Sequence, residues 1–208
     1  MIVFITAHDE PTSENLQVAG HLLRVATNGL LGEDAVRANI VAALTAEPNQ
    51  PLLAFSHGHP ESIRGNDDQP ALMIADTHLL CDRESFAFAC HTAGLLGPNV
   101  SAQGGTWFGY VGAVNCLPAD QDAIHHFSAI ADFVARRFPG CNTALGAQAF
   151  INDIAALTDQ KHEAILATDT YTFEMLHALR DISRRLRIWL PGAAAAIMHP
   201  EGFGDPIF

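Results

Sequence analysis

The chain has 208 residues, 49% of them apolar, and 11 Lys and Arg against 23 Asp and Glu give it a formal net charge of −12. Such a length and apolar content fit one domain with a sizeable core and exclude a chain that is disordered throughout. The acidic balance excludes a general nucleic-acid binder, since phosphate neutralisation takes Lys and Arg, and it favours basic peptides or partners instead. Met1–Ala7, a short β-branched apolar run, is expected to be a buried first strand. Pro11-Thr12-Ser13-Glu14 then signals a helix start, with Leu16, Val18, Ala19, Leu22, Leu23 and Val25 at helical spacing until Asn28-Gly29 closes the element. A second helix is predicted over Glu33–Ala46, and Pro48-Asn49-Gln50-Pro51 breaks the chain after it. Pro51–Ser56 reads as another buried strand, ending at His57-Gly58-His59-Pro60.

Glu61–Pro70 is polar, with Gly65-Asn66-Asp67-Asp68 as turn chemistry, and predicts a loop. Ala71–Ala75 and His78–Cys81, flanking Asp76-Thr77, predict a small hairpin, and Ser85–Ala89 a further buried strand that stops at Cys90. No element is assigned to Leu95–Gly105, which is rich in Gly, Pro, Asn and Ser; Thr106–Asn115 after it reads as a glycine-punctuated strand. From Ala119 to Leu190 the chain reads as mostly helical, with helices at Asp122–Phe138, Leu145–Leu157 and Thr172–Leu190. Arg184, Arg185 and Arg187 suit the C-terminus of the last of these.

Unbroken apolar strands separated by helices imply an α/β fold with a mostly parallel sheet covered on both faces. Ligands of such sheets sit beyond the carboxyl ends of the strands, which singles out Asp9, His57, Cys90 and the residues near Asn115. The cysteines Cys81, Cys90, Cys116 and Cys141 include no C-x-x-C pair, as expected of reduced, intracellular thiols. No targeting segment is expected in MIVFITAH, which lacks a basic start and a long apolar core, and no other run is long enough to span a bilayer. The expectation is a cytoplasmic protein with no membrane or nucleic-acid partner.

Two strand ends carry matching chemistry. One apolar strand ends in His57-Gly58, the other in Cys90-His91-Thr92-Ala93-Gly94. A thiol nucleophile needs a base beside it, and His is the usual one. Gly58 has no Cβ, so its N–H can approach a substrate carbonyl and, with the N–H of Cys90, form an oxyanion hole.

This pattern resembles the caspase-like cysteine peptidases: caspases, metacaspases, gingipain- and clostripain-type enzymes, separase and bacterial CHAT domains. Cys90–Gly94 is similar to the Cys-His-Ser-Gly run of metacaspases and the Ala-Cys-x-Ser/Thr-Gly run of CHAT domains, and Gly104–Asn115 resembles the glycine-punctuated strand after the nucleophile. The resemblance covers about residues 1–140 and leaves a helical part, about 141–208, within a single domain. It implies a caspase-like three-layer sandwich, with its mostly parallel central sheet flanked by helices. It further implies Cys90 as nucleophile, His57 as general acid/base, and Gly58 and Cys90 as oxyanion amides. Asp9 or Glu10, following the first strand, would line a specificity pocket and favour Arg or Lys in a peptide or protein substrate. Phe88 stands where metacaspases carry an Asp, and the short interval between His57 and Cys90 leaves room for a hairpin rather than a crossover helix. A small domain of this kind implies activation by a regulatory protein partner, in a bacterial setting, and no cofactor.

Other readings of the same residues stand beside these. Asp9 and Glu10 also fit the N-cap of the first helix, and His91 either orients the site or simply caps the turn as a solvated side chain. Trp107 and Tyr110, three apart on a strand, face opposite sides; one is expected in the core and the other on the cleft wall. Cys81, Cys116 and Cys141 read as structural thiols, and the tail Pro200–Phe208 as a segment docked on the body or on a partner. Two alternatives to the peptidase are a catalytically inactive caspase-like interaction module and a zinc-binding protein using His57 and His59 with Cys81, Cys90 or His91.

Overall fold

The computed structural model describes residues 1–116, 121–168 and 172–202. Most of the expected docking tail, residues 203–208, and the start of the helical stretch at Ala119 lie outside the described residues. In chain order the first half contains β1 (Ile2–Ile5), α1 (Glu10–Ala19), β2 (Asn28–Leu31), α2 (Arg37–Ala46), β3 (Leu52–Phe55), β4 (Gly58–His59), β5 (Ser62–Arg64), β6 (Pro70–Met73) and β7 (Glu84–Phe88). The second half contains α3 (Leu96–Ala102), β8 (Thr106–Tyr110), α4 (Gln121–Arg137), α5 (Ala144–Leu166), α6 (Phe173–Arg184), β9 (Leu186–Trp189) and β10 (Ile197–Met198).

Among the described residues, seven strands form one sheet in the order β10-β9-β8-β7-β3-β1-β2. Strands β2, β1, β3, β7 and β8 run parallel, and β9 and β10 add antiparallel edge pairings. Alternate residues of the central strands enter different cores, which is why β1 and β3 are apolar throughout and β7 nearly so. Val3, Phe55, Phe86, Phe108 and Tyr110 pack against α1, α4, α5 and α6. Ile2, Phe4, Leu52, Ala87 and Trp107 face α2, α3 and the smaller strands. The fold is therefore α/β, a mostly parallel sheet flanked by helices on both faces.

Several stretches differ from their sequence expectation, and the main ones do so for a local reason. Asn28-Gly29 does not end a helix but opens β2, an edge strand with Leu30 as its one buried residue, so no apolar run announces it. The expected loop and hairpin after His57 form an antiparallel sheet of β4, β5 and β6 followed by a 3-10 helix at Ile74–Leu80. That helix winds around the buried Asp76 carboxylate, which accepts from Arg37 at 2.6 and 2.7 Å and from the Met73 amide at 3.0 Å. These small elements fill the β3-to-β7 crossover where parallel sheets usually place a helix.

In the glycine- and proline-rich stretch, α3 forms because Leu96 and Val100 are buried one turn apart. Gly97 is a packing residue there, since a Cβ would come within 2.5 Å of Trp189. The basic end expected to finish the last helix instead turns into β9. Leu186 and Ile188 alternate into the core opposite Tyr110 and Phe108, and Arg184 remains as the helix's terminal base. No helix among the described residues is long and apolar enough to cross a membrane.

Candidate active site

Three neighbouring parallel strands deliver their chemistry to one rim. Ile5 pairs with Phe55 and Phe55 with Phe88, so β1, β3 and β7 end level with one another. Just beyond those ends come His8-Asp9, His57-Gly58 and Cys90. Because β3 lies between β1 and β7, His57 leaves the sheet between the strand that leads to Asp9 and the strand that leads to Cys90.

Asp9 is fixed from two sides. It is the N-cap of α1, so the cap expectation holds: its Oδ1 accepts from the Thr12 amide at 3.1 Å and from the Thr12 hydroxyl at 2.6 Å. Its Oδ2 lies 2.6 Å from His57 Nε2. Burial works to raise the Asp9 pKa, but the hydrogen bonds from Thr12 and His57 outweigh it and hold the carboxyl at about 2. An ionised carboxylate only accepts, so His57 Nε2 carries the proton and Nδ1 is left as the ring's proton acceptor. The loop expected at Glu61–Pro70 supports this end of β1, because the Asn66 side chain accepts from the Ala7 amide at 2.7 Å.

A depressed carboxyl pKa adds stability that is full above the ordinary value of 3.8 and is lost as the pH falls through about 2. Thermal melts of the protein and of Asp9→Asn are therefore expected to differ at neutral pH and to converge between pH 4 and pH 2.

Gly58 lies directly on the backbone of Cys90. A Cβ there would come 2.1 Å from the Cys90 carbonyl oxygen and 2.7 Å from the Cys90 nitrogen, so this position demands glycine. Half-buried Cys90 has its sulfur beside the loop after β8, accepting from the Val114 amide at 3.4 Å, with the Val114 carbonyl at 3.5 Å. The next residue, His91, takes φ +63°, a left-handed conformation uncommon for a side chain other than glycine. Its amide is tied to the Gly112 carbonyl at 2.9 Å, which fixes the turn behind Cys90.

The other candidates lie elsewhere. Trp107 and Tyr110 do face opposite sides of β8, but both are fully buried, one in each core, so neither walls a cleft. Glu10 opens α1 as an exposed first-turn acid, and exposed His59 sits on β4 opposite Ser62. Asp9 has both oxygens engaged within the protein, which makes it a partner of His57 rather than a free pocket acid. Cys116 is buried, and burial raises its thiol pKa, as it does for half-buried Cys141; at exposed Cys81 the hydrogen bond to the Asp82 carboxylate does so.

Sequence reasoning missed His8, Asn66 and Val114. The His8 ring meets that of His57 edge-on at 5.6 Å, and its Nε2 lies 3.6 Å from Asp9 Oδ2. A histidine directly before a helix N-cap carries no signal of its own; its place at the end of β1 could have raised the question. No protein-family model matches the chain, and no curated protein matches it in sequence.

Proposed function

We propose that the protein is a cysteine endopeptidase of the caspase-like kind, working with an Asp9–His57–Cys90 triad. The observation that carries this reading is the strand order β1-β3-β7, with His57 between a carboxylate 2.6 Å away and the Cys90 strand end packed against Gly58. His57 Nδ1 takes the proton from Cys90 Sγ, and the sulfur bonds to the scissile carbonyl carbon. The Gly58 and Cys90 amides receive the oxyanion. Its collapse expels the amine, which takes the proton from His57. Water, deprotonated by the same imidazole, then hydrolyses the thioester and frees Cys90. The charge of −12 favours basic peptides, and exposed Glu10 is the acid available to meet an Arg or Lys side chain. Four unpaired thiols support a cytoplasmic location.

The sulfur's contacts with Val114 favour a loop after β8 that yields as substrate binds, a step whose rate a protein partner would regulate without being needed for basal cleavage. The same contacts favour a second reading, a caspase-like module that binds a partner without cutting. A peptide library exposed to the protein and to Cys90→Ala, with every cut read by mass spectrometry, separates the two. Cuts made by the unmodified chain and absent with Cys90→Ala are expected; identical cuts from both, or none from either, would overturn the peptidase reading.

A further inference from the structure

We infer that His8, Asp9 and His57 form a Zn²⁺ site that, when filled, withdraws His57 from base catalysis. The consequence for catalysis rests on the triad reading; the binding site does not. Among the described residues, these three form the one group of metal-ligating side chains close enough to hold an ion, with ligand atoms within 4.8 Å of one another. Two imidazoles and a carboxylate are a donor set that zinc accepts, and three protein ligands leave a fourth position for water. The geometry is close to what the ion needs. Bonds of about 2.0–2.1 Å in a tetrahedron separate neighbouring ligand atoms by roughly 3.3–3.4 Å. The pair His8 Nε2 and Asp9 Oδ2 is already 3.6 Å apart, while His57 Nε2 and Asp9 Oδ2, at 2.6 Å, must open by roughly 0.7 Å.

The surroundings favour the same assignment. Thr12 holds the other Asp9 oxygen through its amide and hydroxyl, the outer-shell support that orients a ligating carboxylate. Side-chain exposures of 20% for His8, 39% for Asp9 and 35% for His57 leave an entry path and room for water. The effect on catalysis follows from proton positions. Without metal, His57 carries its proton on Nε2 and accepts the Cys90 proton on Nδ1. Zinc takes the Nε2 lone pair, so the ring proton moves to Nδ1 and no acceptor remains for Cys90. No bond to carbon is made or broken, and the ring keeps its single proton.

The test titrates metal-free protein with zinc chloride alone by calorimetry, with circular dichroism confirming that each variant is folded. The protein and Cys90→Ala are expected to bind one equivalent. His8→Ala and His57→Ala are expected to bind roughly 100-fold more weakly or not at all, since losing a ligand costs at least as much as the 10–100-fold typical of outer-shell partners. Co²⁺ in place of zinc should show tetrahedral visible bands without thiolate charge transfer. Unchanged binding in His8→Ala, lost binding in Cys90→Ala, or a thiolate band would overturn the site. In cleavage assays, each referred to its own metal-free rate, His8→Ala should tolerate roughly 100-fold more Zn²⁺ than the unmodified chain. Full cleavage at saturating zinc would overturn the inhibitory role. One bound zinc in a protein that cleaves nothing even metal-free would sink the peptidase reading and leave the metal site standing.

Discussion

Asp9→Asn is expected to lower kcat by about 10²–10⁴-fold while leaving KM nearly unchanged. Asn caps helices as well as Asp does, so α1 should keep its start at Glu10, with the cap still accepting from the Thr12 amide, and the protein its fold. What the substitution removes is the ionised acceptor 2.6 Å from His57 Nε2. An amide can present its NH₂ to that nitrogen, and the ring then takes the opposite tautomer, with a proton where the Cys90 proton should arrive. Steady-state kinetics on a cleaved peptide separate this from the role that the resemblance implied. A pocket acid lost to Asn would raise KM for Arg or Lys substrates and spare neutral ones. A fall in kcat for every substrate assigns Asp9 to His57, whereas a KM effect confined to basic substrates would refute that assignment.

Arg83→Met is expected to destabilise the fold by about 3 kcal/mol, read as a lower denaturation midpoint with an unchanged denaturant slope. The Arg83 side chain is almost completely buried just before β7. Its guanidinium donates to the Leu44 carbonyl at 3.0 Å, the Glu47 carbonyl at 2.9 Å and the Gln50 carbonyl. These carbonyls lie at the end of α2 and in the segment that leads into β3. Burial lowers the Arg83 pKa and the Glu47 carboxylate opposes that, so the cation is kept by what surrounds it. Methionine fills similar volume but offers no donor, leaving the carbonyls short of a partner. A loss below about 0.5 kcal/mol, the size of an ordinary surface change, would contradict this role.

The parts of the fold that were legible in the sequence are those whose burial leaves an unbroken apolar signature. The strands β1, β3 and β7 read directly from IVFI, LLAF and SFAF, and with them the rim where His57 and Cys90 emerge. Elements stabilised by single polar or close-packed contacts did not show. The 3-10 turn depends on the Arg37–Asp76 pair, and α3 depends on Gly97 lying against Trp189. Leu186 and Ile188 fit helical spacing as well as strand alternation, and only pairing with β8 decides between them. In the site, Asp9 was visible as a cap and as an acid near a strand end, but its bond to His57 was not. That bond joins β1 to β3 across residues distant in sequence, and no local pattern records it. The burial of both Trp107 and Tyr110 was also hidden, since the two faces of β8 enter separate cores built from elements spread along the chain.

In the proposed reaction His57 turns Cys90 into the nucleophile. Brief exposure to a panel of peptidyl acyloxymethyl ketones, read by intact mass and peptide mapping, tests it most directly. The expected result is one adduct on Cys90 that is lost in His57→Ala, with Cys81, exposed but beside the Asp82 carboxylate, left unmodified as an internal control. Labelling of Cys81 with Cys90 untouched, or labelling of Cys90 at the same rate in His57→Ala, would contradict it.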